Sequence, residues 1–308
     1  MAPIYNITDN TIDPLLFSGA SCAFGVFDGV HKGHQFLIDE TIKTARESNG
    51  RSIVVTFDID PDEKFHPENL KKIMSNKQRL EALASSGVDC VVVIPFTDEF
   101  AALTPQEFLT RMFTAARPAF VHIGKNIRFG VNGSGSIDDM KNWACCFVTR
   151  IYIHDLQTED GQTISATHIR NLLEQGNIEE AEELLGHAYV EEGIVLKGRG
   201  EGRKIGFPTA NLKFPYASRL LPSGVYAAKV ELEGKNYKAA VSLGTPPTFD
   251  EDSKESCEVH ILDFDGDLYG KTIQVEFISF LRSMKKFDNF EQLAQAVQSD
   301  VEWVEKNL

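Results

Sequence analysis

Over residues 1–186 short runs of β-branched and apolar residues alternate with stretches of helical spacing. Residues 21–27, 52–57, 90–94, 120–123 and 146–153 read as strands. Helix punctuation lies between them: Ser75 opens a helix that stops near Gly87, and Thr104-Pro105-Gln106-Glu107 supplies an N-cap, a first-turn proline and a capping glutamate. Two short helices, 167–175 and 179–185, close this half at Gly186. Strand and helix in alternation predict a doubly wound, Rossmann-like parallel sheet. After Tyr189 the apolar period falls to two, in 193–197, 225–231, 238–243, 258–262 and 272–278, which predicts a small antiparallel barrel. A last amphipathic helix, from Asn289 to about Lys306, turns Phe290, Leu293, Val297, Val301 and Val304 toward it.

Length agrees with two domains, drawn at 1–186 and 187–308 on the change of period, since 308 residues can bury a core in each. A 42% hydrophobic, 25% charged chain is globular, and its net charge of −14 disfavours general binding to nucleic acid or anionic membrane. Neither a membrane-spanning run nor a signal peptide is expected, so the expected location is the cytoplasm. Cys22, Cys90, Cys145, Cys146 and Cys257 have no metal-site or disulfide spacing and read as reduced core thiols. The oligomeric state stays open.

Two stretches carry chemistry. In the first, Phe24-Gly25-Val26-Phe27-Asp28-Gly29-Val30-His31-Lys32-Gly33-His34 lies where the first strand turns into a helix, the place where open α/β sheets bind ligands. A helix start offers free backbone donors, and Gly25 and Gly33 leave room for a phosphate chain. His31 and His34, three apart, share a face and can donate to oxygens that gain charge in nucleotidyl transfer. A zinc site would need a third ligand, which no spacing suggests.

The second stretch is Lys197-Gly198-Arg199-Gly200-Glu201-Gly202-Arg203-Lys204, followed by Ile205-Gly206-Phe207-Pro208-Thr209-Ala210-Asn211. Four basic groups oppose one acidic group, and alternating glycines let backbone amides form an anion nest. It lacks the ending of a P-loop, and it leads to Pro208 rather than to a helix, unlike a dinucleotide fingerprint. Thr209 and Asn211, two apart in an extended segment, project to one side as hard oxygen ligands suited to Mg²⁺ beside phosphates.

These residues resemble a known family. The His-Lys-Gly-His turn is similar to the nucleotidyltransferase signature, and residues 25–35, with Phe27 and Asp28, look like the N-terminal domain of the prokaryotic bifunctional riboflavin kinase and FMN adenylyltransferase (FAD synthetase) family. Gly124 to Gly130, with Asn126 and Phe129, resembles its flavin- and nucleotide-lining segment. Residues 164–170, with Thr167 and Arg170, resemble its second phosphate-binding motif. Gly206-Phe207-Pro208-Thr209-Ala210-Asn211 matches the riboflavin kinase signature in full, and residues 257–270 resemble the strand and turn that bear the base, which makes Glu258 the base. Arg282, Lys286 and Phe287 match a segment that closes over the flavin.

The resemblance implies a Greek-key barrel of riboflavin kinase type behind the α/β domain. It implies phosphorylation of riboflavin to FMN in the second domain and adenylylation of FMN to FAD, with release of pyrophosphate, in the first. ATP and Mg²⁺ are the co-substrate and metal; the partners are small molecules. The alternative is a riboflavin kinase whose first domain is a weakly active or non-catalytic flavin- or nucleotide-binding module. Departures from the usual motif residues cluster there: Ile59 and Asp60 where a Pro-His pair is usual, Asn126 for Asp, Gly133 for Arg, Ala166 for Ser and His168 for Arg. In the second domain Pro246 replaces Arg and Met284 replaces Glu. Asp263, Asp265 and Asp267 read as turn residues, since a calcium hand needs a later glutamate and flanking helices.

Overall fold

The computed structural model describes residues 1–7, 14–66, 71–113, 117–159, 161–198, 201–204, 206–214, 220–244 and 256–308. They form two compact units, 1–70 with 76–166 and 71–75 with 167–308.

The first unit runs β1 (Ile4–Asn6), α1 (Pro14–Phe17), β2 (Ser21–Phe24), α2 (Lys32–Glu47), β3 (Ser52–Phe57), α3 (Pro61–Phe65), α4 (Asn76–Ser85), β4 (Cys90–Ile94), α5 (Asp98–Ala101), α6 (Pro105–Phe113), β5 (Phe120–Gly124), α7 (Ile137–Phe147) and β6 (Arg150–His154), with a small hairpin of β7 (Thr158–Glu159) and β8 (Gln162–Thr163). The sheet is parallel, in the order β1-β4-β3-β2-β5-β6. Its central strands read SCAF, SIVVTF and CVVVI and are buried throughout, as strands covered on both faces must be. One face carries an aromatic core of Phe24, Phe57, Phe100, Phe108, Phe113 and Phe129, met largely edge-on.

Expected and observed elements differ mainly at ends. The strand expected over 146–153 begins only at Arg150, because α7 runs to Phe147 and Val148 turns through a left-handed conformation. The five cysteines are free, yet only Cys22, Cys90 and Cys257 are buried; Cys145 and Cys146 stand exposed on the outer side of α7, so the expectation of core thiols fails for that pair.

The second unit starts with α8 (Ala166–Glu174) and α9 (Ile178–Leu185), then β9 (Val190–Leu196), α10 (Glu201–Lys204), β10 (Ala210–Lys213), β11 (Gly224–Leu232), β12 (Lys235–Gly244), β13 (Ser256–Ile261), β14 (Thr272–Ser283) and α11 (Phe290–Asn307). The two helices expected to close the first half group instead with the barrel, where α9 packs on β14. The six strands close antiparallel in the order β10-β13-β12-β11-β14-β9, and β10 beside β13 makes the Greek key. Asn289 caps α11, whose Val301 and Val304 are buried against Ala227 and Ala240; Phe290, expected on that face, stands in the first turn and is 54% exposed.

A residue that no motif singles out holds the working end of the parallel sheet together. Arg79 of α4 is fully buried. Its Nη1 donates to Val26 O (2.9 Å) and Thr56 Oγ1 (2.7 Å), and its Nη2 to Phe57 O (2.8 Å) and Asn76 Oδ1 (3.2 Å). Val26 and Phe57 lie just past the end of β2 and at the end of β3, where the ladder stops, so one planar fork replaces several inter-strand bonds. Burial draws the guanidinium down from its ordinary value, opposed by the carboxylates of Asp60, Asp28, Glu63 and Asp58. Replacing Arg79 with Met strands these acceptors and should cost about 3 kcal/mol or more in urea unfolding, with Arg79→Lys restoring only part because an ammonium cannot span both strands.

A second buried polar pair joins β5 to β6. His122, 1% exposed, has its Nδ1 3.0 Å from His154 Nε2, and the rings are stacked. Burial, then the neighbouring His154, lowers the His122 pKa to about 4, and burial lowers that of His154. A buried imidazole that stays neutral while its unfolded counterpart protonates contributes stability above pH about 6.5 and loses it as pH falls toward 4. Thermal melts should therefore show a midpoint that declines through this window, and His122→Asn should flatten the decline.

Candidate active sites of the two units

In the first unit the strand order reverses at β2: the chain next supplies β3 on one side, and β5 only later on the other. The crevice outside the carboxyl ends of β2 and β5 is thus a topological switch point. The turn that leaves β2 is tightly bent, with Phe27 (φ 63°), Gly29 (φ 75°) and Val30 (φ 38°) all left-handed. Phe27 and Asp28 are buried, and α4 packs on this turn.

His31 stands at the N-cap of α2, where its Nδ1 accepts the His34 N–H at 3.3 Å. The two imidazoles stack at 3.6 Å with planes 16° apart, and Phe27 meets His34 edge-on at 5.2 Å. Both glycines expected here sit close to the rings: a Cβ on Gly33 would press the His31 ring at 3.2 Å, and one on Gly25 would press the Phe27 ring at 3.3 Å. Burial, then His31, pushes His34 well below the ordinary imidazole value, and its buried Nδ1 has no partner among the described residues. His34 is therefore neutral near pH 7 and can serve as a hydrogen-bonding group rather than a cation.

Past β5, Asn126 is exposed, whereas Phe129 is 5% exposed and packs on Phe108 in the aromatic core. Gly130 turns at φ 71° against Pro105, which a Cβ would strike. Two of the departures from the family pattern have local structural uses. Asp60 caps α3 in a reciprocal capping box with Glu63, and Gly133 turns at φ 60°, a conformation that disfavours arginine. Thr167 is exposed and Arg170 half-buried on α8, which groups with the second unit.

In the barrel, β10 and β13 bring the expected metal ligands and base together. Asn211 lies opposite Glu258 in register, and Thr209 Oγ1 donates to Glu258 Oε2 at 3.4 Å. The glycine loop closes on them: a Cβ on Gly198 would overlap the Asn211 amide, and one on Gly202 would overlap Phe207 O, which lies beside the Phe207 N–H that donates to Gly202 O. The loop contains a turn of helix, α10, which the alternating glycines did not predict, and Gly206 follows it at φ 88°. Arg203 is exposed on that turn. Arg199 and Gly200 lie outside the described residues, as do the Lys204 side chain and Pro246.

A cavity of about 500 Å³ opens beside this cluster, lined by Arg203, Thr209, Val259, Phe264, Leu268 and Tyr269. Asp265 and Asp267 also line it, and Asp267 accepts the Tyr269 N–H; of the three aspartates expected in turns, Asp263 is in one, with a left-handed backbone. At the end of β14 Arg282 is fixed by Asp300 of α11, Nε to Oδ1 at 3.0 Å and Nη2 to Oδ2 at 2.7 Å, with Phe287 5.8 Å from the guanidinium. Asp300 is 7% exposed; in sequence it is one acid beside an apolar stripe, and nothing in its spacing marks it.

Known proteins line up with both halves. A model of the FAD synthetase family matches residues 15–168, and a model of the riboflavin kinase family matches 185–308. The bifunctional riboflavin kinase/FMN adenylyltransferase of Listeria monocytogenes is 34% identical over 90% of this chain and 89% of its own. Those of Bacillus subtilis and Escherichia coli K12 are 32% and 33% identical, over 90% and 92% of this chain and 89% and 90% of theirs. A solved structure described as a macrolide-efflux protein from Streptococcus pneumoniae covers 99% of both chains at 31% identity and a TM-score of 0.84. Among the described residues no helix of this chain is long and apolar enough to cross a membrane. With two family models in series and relatives of this identity over nearly their whole length, the chain belongs to the bifunctional riboflavin kinase/FMN adenylyltransferase family.

Proposed function

We propose that this chain makes FMN from riboflavin in residues 187–308 and FAD from FMN in residues 1–186, using ATP in both steps. The observation that carries the kinase half is the contact between Thr209 and Glu258 beside the glycine loop. Glu258 takes the proton of the ribityl hydroxyl as that oxygen attacks the γ-phosphate, and ADP leaves. Gly198, Gly202, Gly206 and the basic groups Arg199, Arg203 and Lys204, with Gly200, receive the phosphates, while the neighbouring cavity accepts the rest of the nucleotide. Arg282 and Phe287 border the flavin, with Arg282 held by Asp300.

The residues fit a magnesium ion. Thr209 and Asn211 offer neutral hard oxygens next to an anion-binding loop, and a carboxylate lies within hydrogen-bond distance of one of them. Magnesium held there would neutralise phosphate charge and draw its other ligands from phosphate and water.

In the first unit the FMN phosphate attacks the α-phosphate of a second ATP and pyrophosphate leaves. His31 and His34 donate to the oxygens that gain charge; Gly25, Phe27, Asp28 and Gly33 shape the turn; Asn126 and Phe129 line the flavin side. Neutral His34 suits this role, because a neutral donor does not have to be desolvated as a cation. The acidic surface and the free cysteines support a cytoplasmic enzyme acting on small molecules rather than on nucleic acid or membrane.

Purified protein given riboflavin, ATP and Mg²⁺ should yield FMN first and FAD after it in a chromatographic time course; FMN without FAD would leave only the kinase. Glu258→Gln should lower riboflavin phosphorylation by roughly 100- to 10,000-fold while leaving FAD formation from supplied FMN intact. The His31→Ala/His34→Ala double variant should do the reverse, with FAD formation down at least roughly 100-fold. Equal loss of both activities in either variant would contradict two separate sites.

A further inference from the structure

We infer that His260 is a positioning residue of the kinase site, which sets Thr209 through the carbonyl of Pro208. The inference rests on the reading of Thr209 as a metal ligand. The ladder between β10 and β13 ends at the pair Ala210↔Val259. One step further Thr209 would face His260, and beyond it stands Pro208, which has no N–H to continue the pairing. The backbone thus loses its register one residue before the side chain whose placement matters most.

The His260 side chain supplies what the ladder cannot. Its Nδ1 is 2.8 Å from Pro208 O. A carbonyl only accepts, so Nδ1 is the donor. The ring also meets Phe207 edge-on at 5.4 Å, with planes 86° apart. Phe207 in turn packs into the cluster beneath α11, and its N–H donates to Gly202 O at 2.8 Å in the glycine loop. His260 therefore touches both residues that precede Thr209, and through Phe207 it reaches the loop.

His260 also stands two residues after Glu258 on the same strand, so both side chains leave the same face. A single strand then carries the base and the group that orients the metal ligand opposite it. The separation of Thr209 and Glu258, 3.4 Å, is set by β13 from both sides: by the backbone pairing of Glu258 with Asn211 and by the side-chain bond from His260. His260 itself need not touch substrate.

The test compares His260→Phe, which keeps a ring against Phe207 but removes the donor, with His260→Gln, which can donate again, and with Thr209→Ala. Thermal melts and FAD formation from supplied FMN report on folding. His260→Phe should lower kcat for riboflavin phosphorylation about tenfold and raise the Mg²⁺ concentration for half-maximal rate severalfold, with the KM for riboflavin little changed. His260→Gln should recover part of both effects, which general loosening of the barrel would not produce. Unchanged kcat and Mg²⁺ dependence in His260→Phe, beside an impaired Thr209→Ala, would overturn the inference alone. If Thr209→Ala also left the Mg²⁺ dependence unchanged, the metal reading would fall with it.

Discussion

The backbone of each unit must solve one problem: where a β-ladder stops, peptide groups that the sheet no longer pairs still need partners. In the parallel sheet the ladder between β2 and β3 ends at Phe24 and Val55, and the chain beyond β2 has to bend sharply into the histidine turn. Arg79 receives the carbonyls left at that end. In the barrel the ladder between β10 and β13 ends before Pro208, and His260 takes the carbonyl there. Both candidate sites lie just past a ladder end, where the chain can present glycines, bent turns and side-chain oxygens that a regular strand would consume in pairing.

The electrostatics follow from the same arrangement. The protein carries 31 basic and 45 acidic side chains, yet two of its proposed substrates, ATP and FMN, are phosphate anions. In the proposed sites, backbone donors at bent turns, a helix start at His31 and a short basic stretch of sequence would receive phosphate without a positive surface. The acid excess is shared between the units: residues 1–70 with 76–166 hold 13 basic and 21 acidic groups, and residues 71–75 with 167–308 hold 18 and 24. Near the histidine turn several carboxylates face inward to Arg79, where they offset a buried cation. Asp60 illustrates how a departure from the family pattern can have a structural reason: its carboxylate holds the start of α3.

Much of the fold is legible in the chain because its signals are local. The buried strands β3 and β4 coincide with their apolar runs, and five of the six barrel strands appear where the period falls to two, whereas the four-residue β10 shows no such run and is held by pairing with β9 and β13. β1 escapes notice because three residues make no pattern and are held only by pairing with β4. α8 and α9 are found as helices, but which unit they join depends on what their apolar faces meet, and no periodicity encodes that.

The candidate sites divide in the same way. His31, His34, the glycine loop, Thr209 and Asn211 are visible in sequence because closely spaced residues on one turn or strand must share a direction, and geometry follows from spacing. Arg79, Asp300 and His260 are not, since each acts on a partner fixed by packing: two strand ends, an arginine 18 positions away and a proline 52 positions away. The neutrality of His34 is likewise a product of burial. Sequence alone determined the two-part organisation, most of the strands and helices with strong periodicity, and the two chemistries. Tertiary structure decided which side chains hold the candidate site residues still, because a long-range hydrogen bond depends on distances that exist only once the ladders and the core have formed.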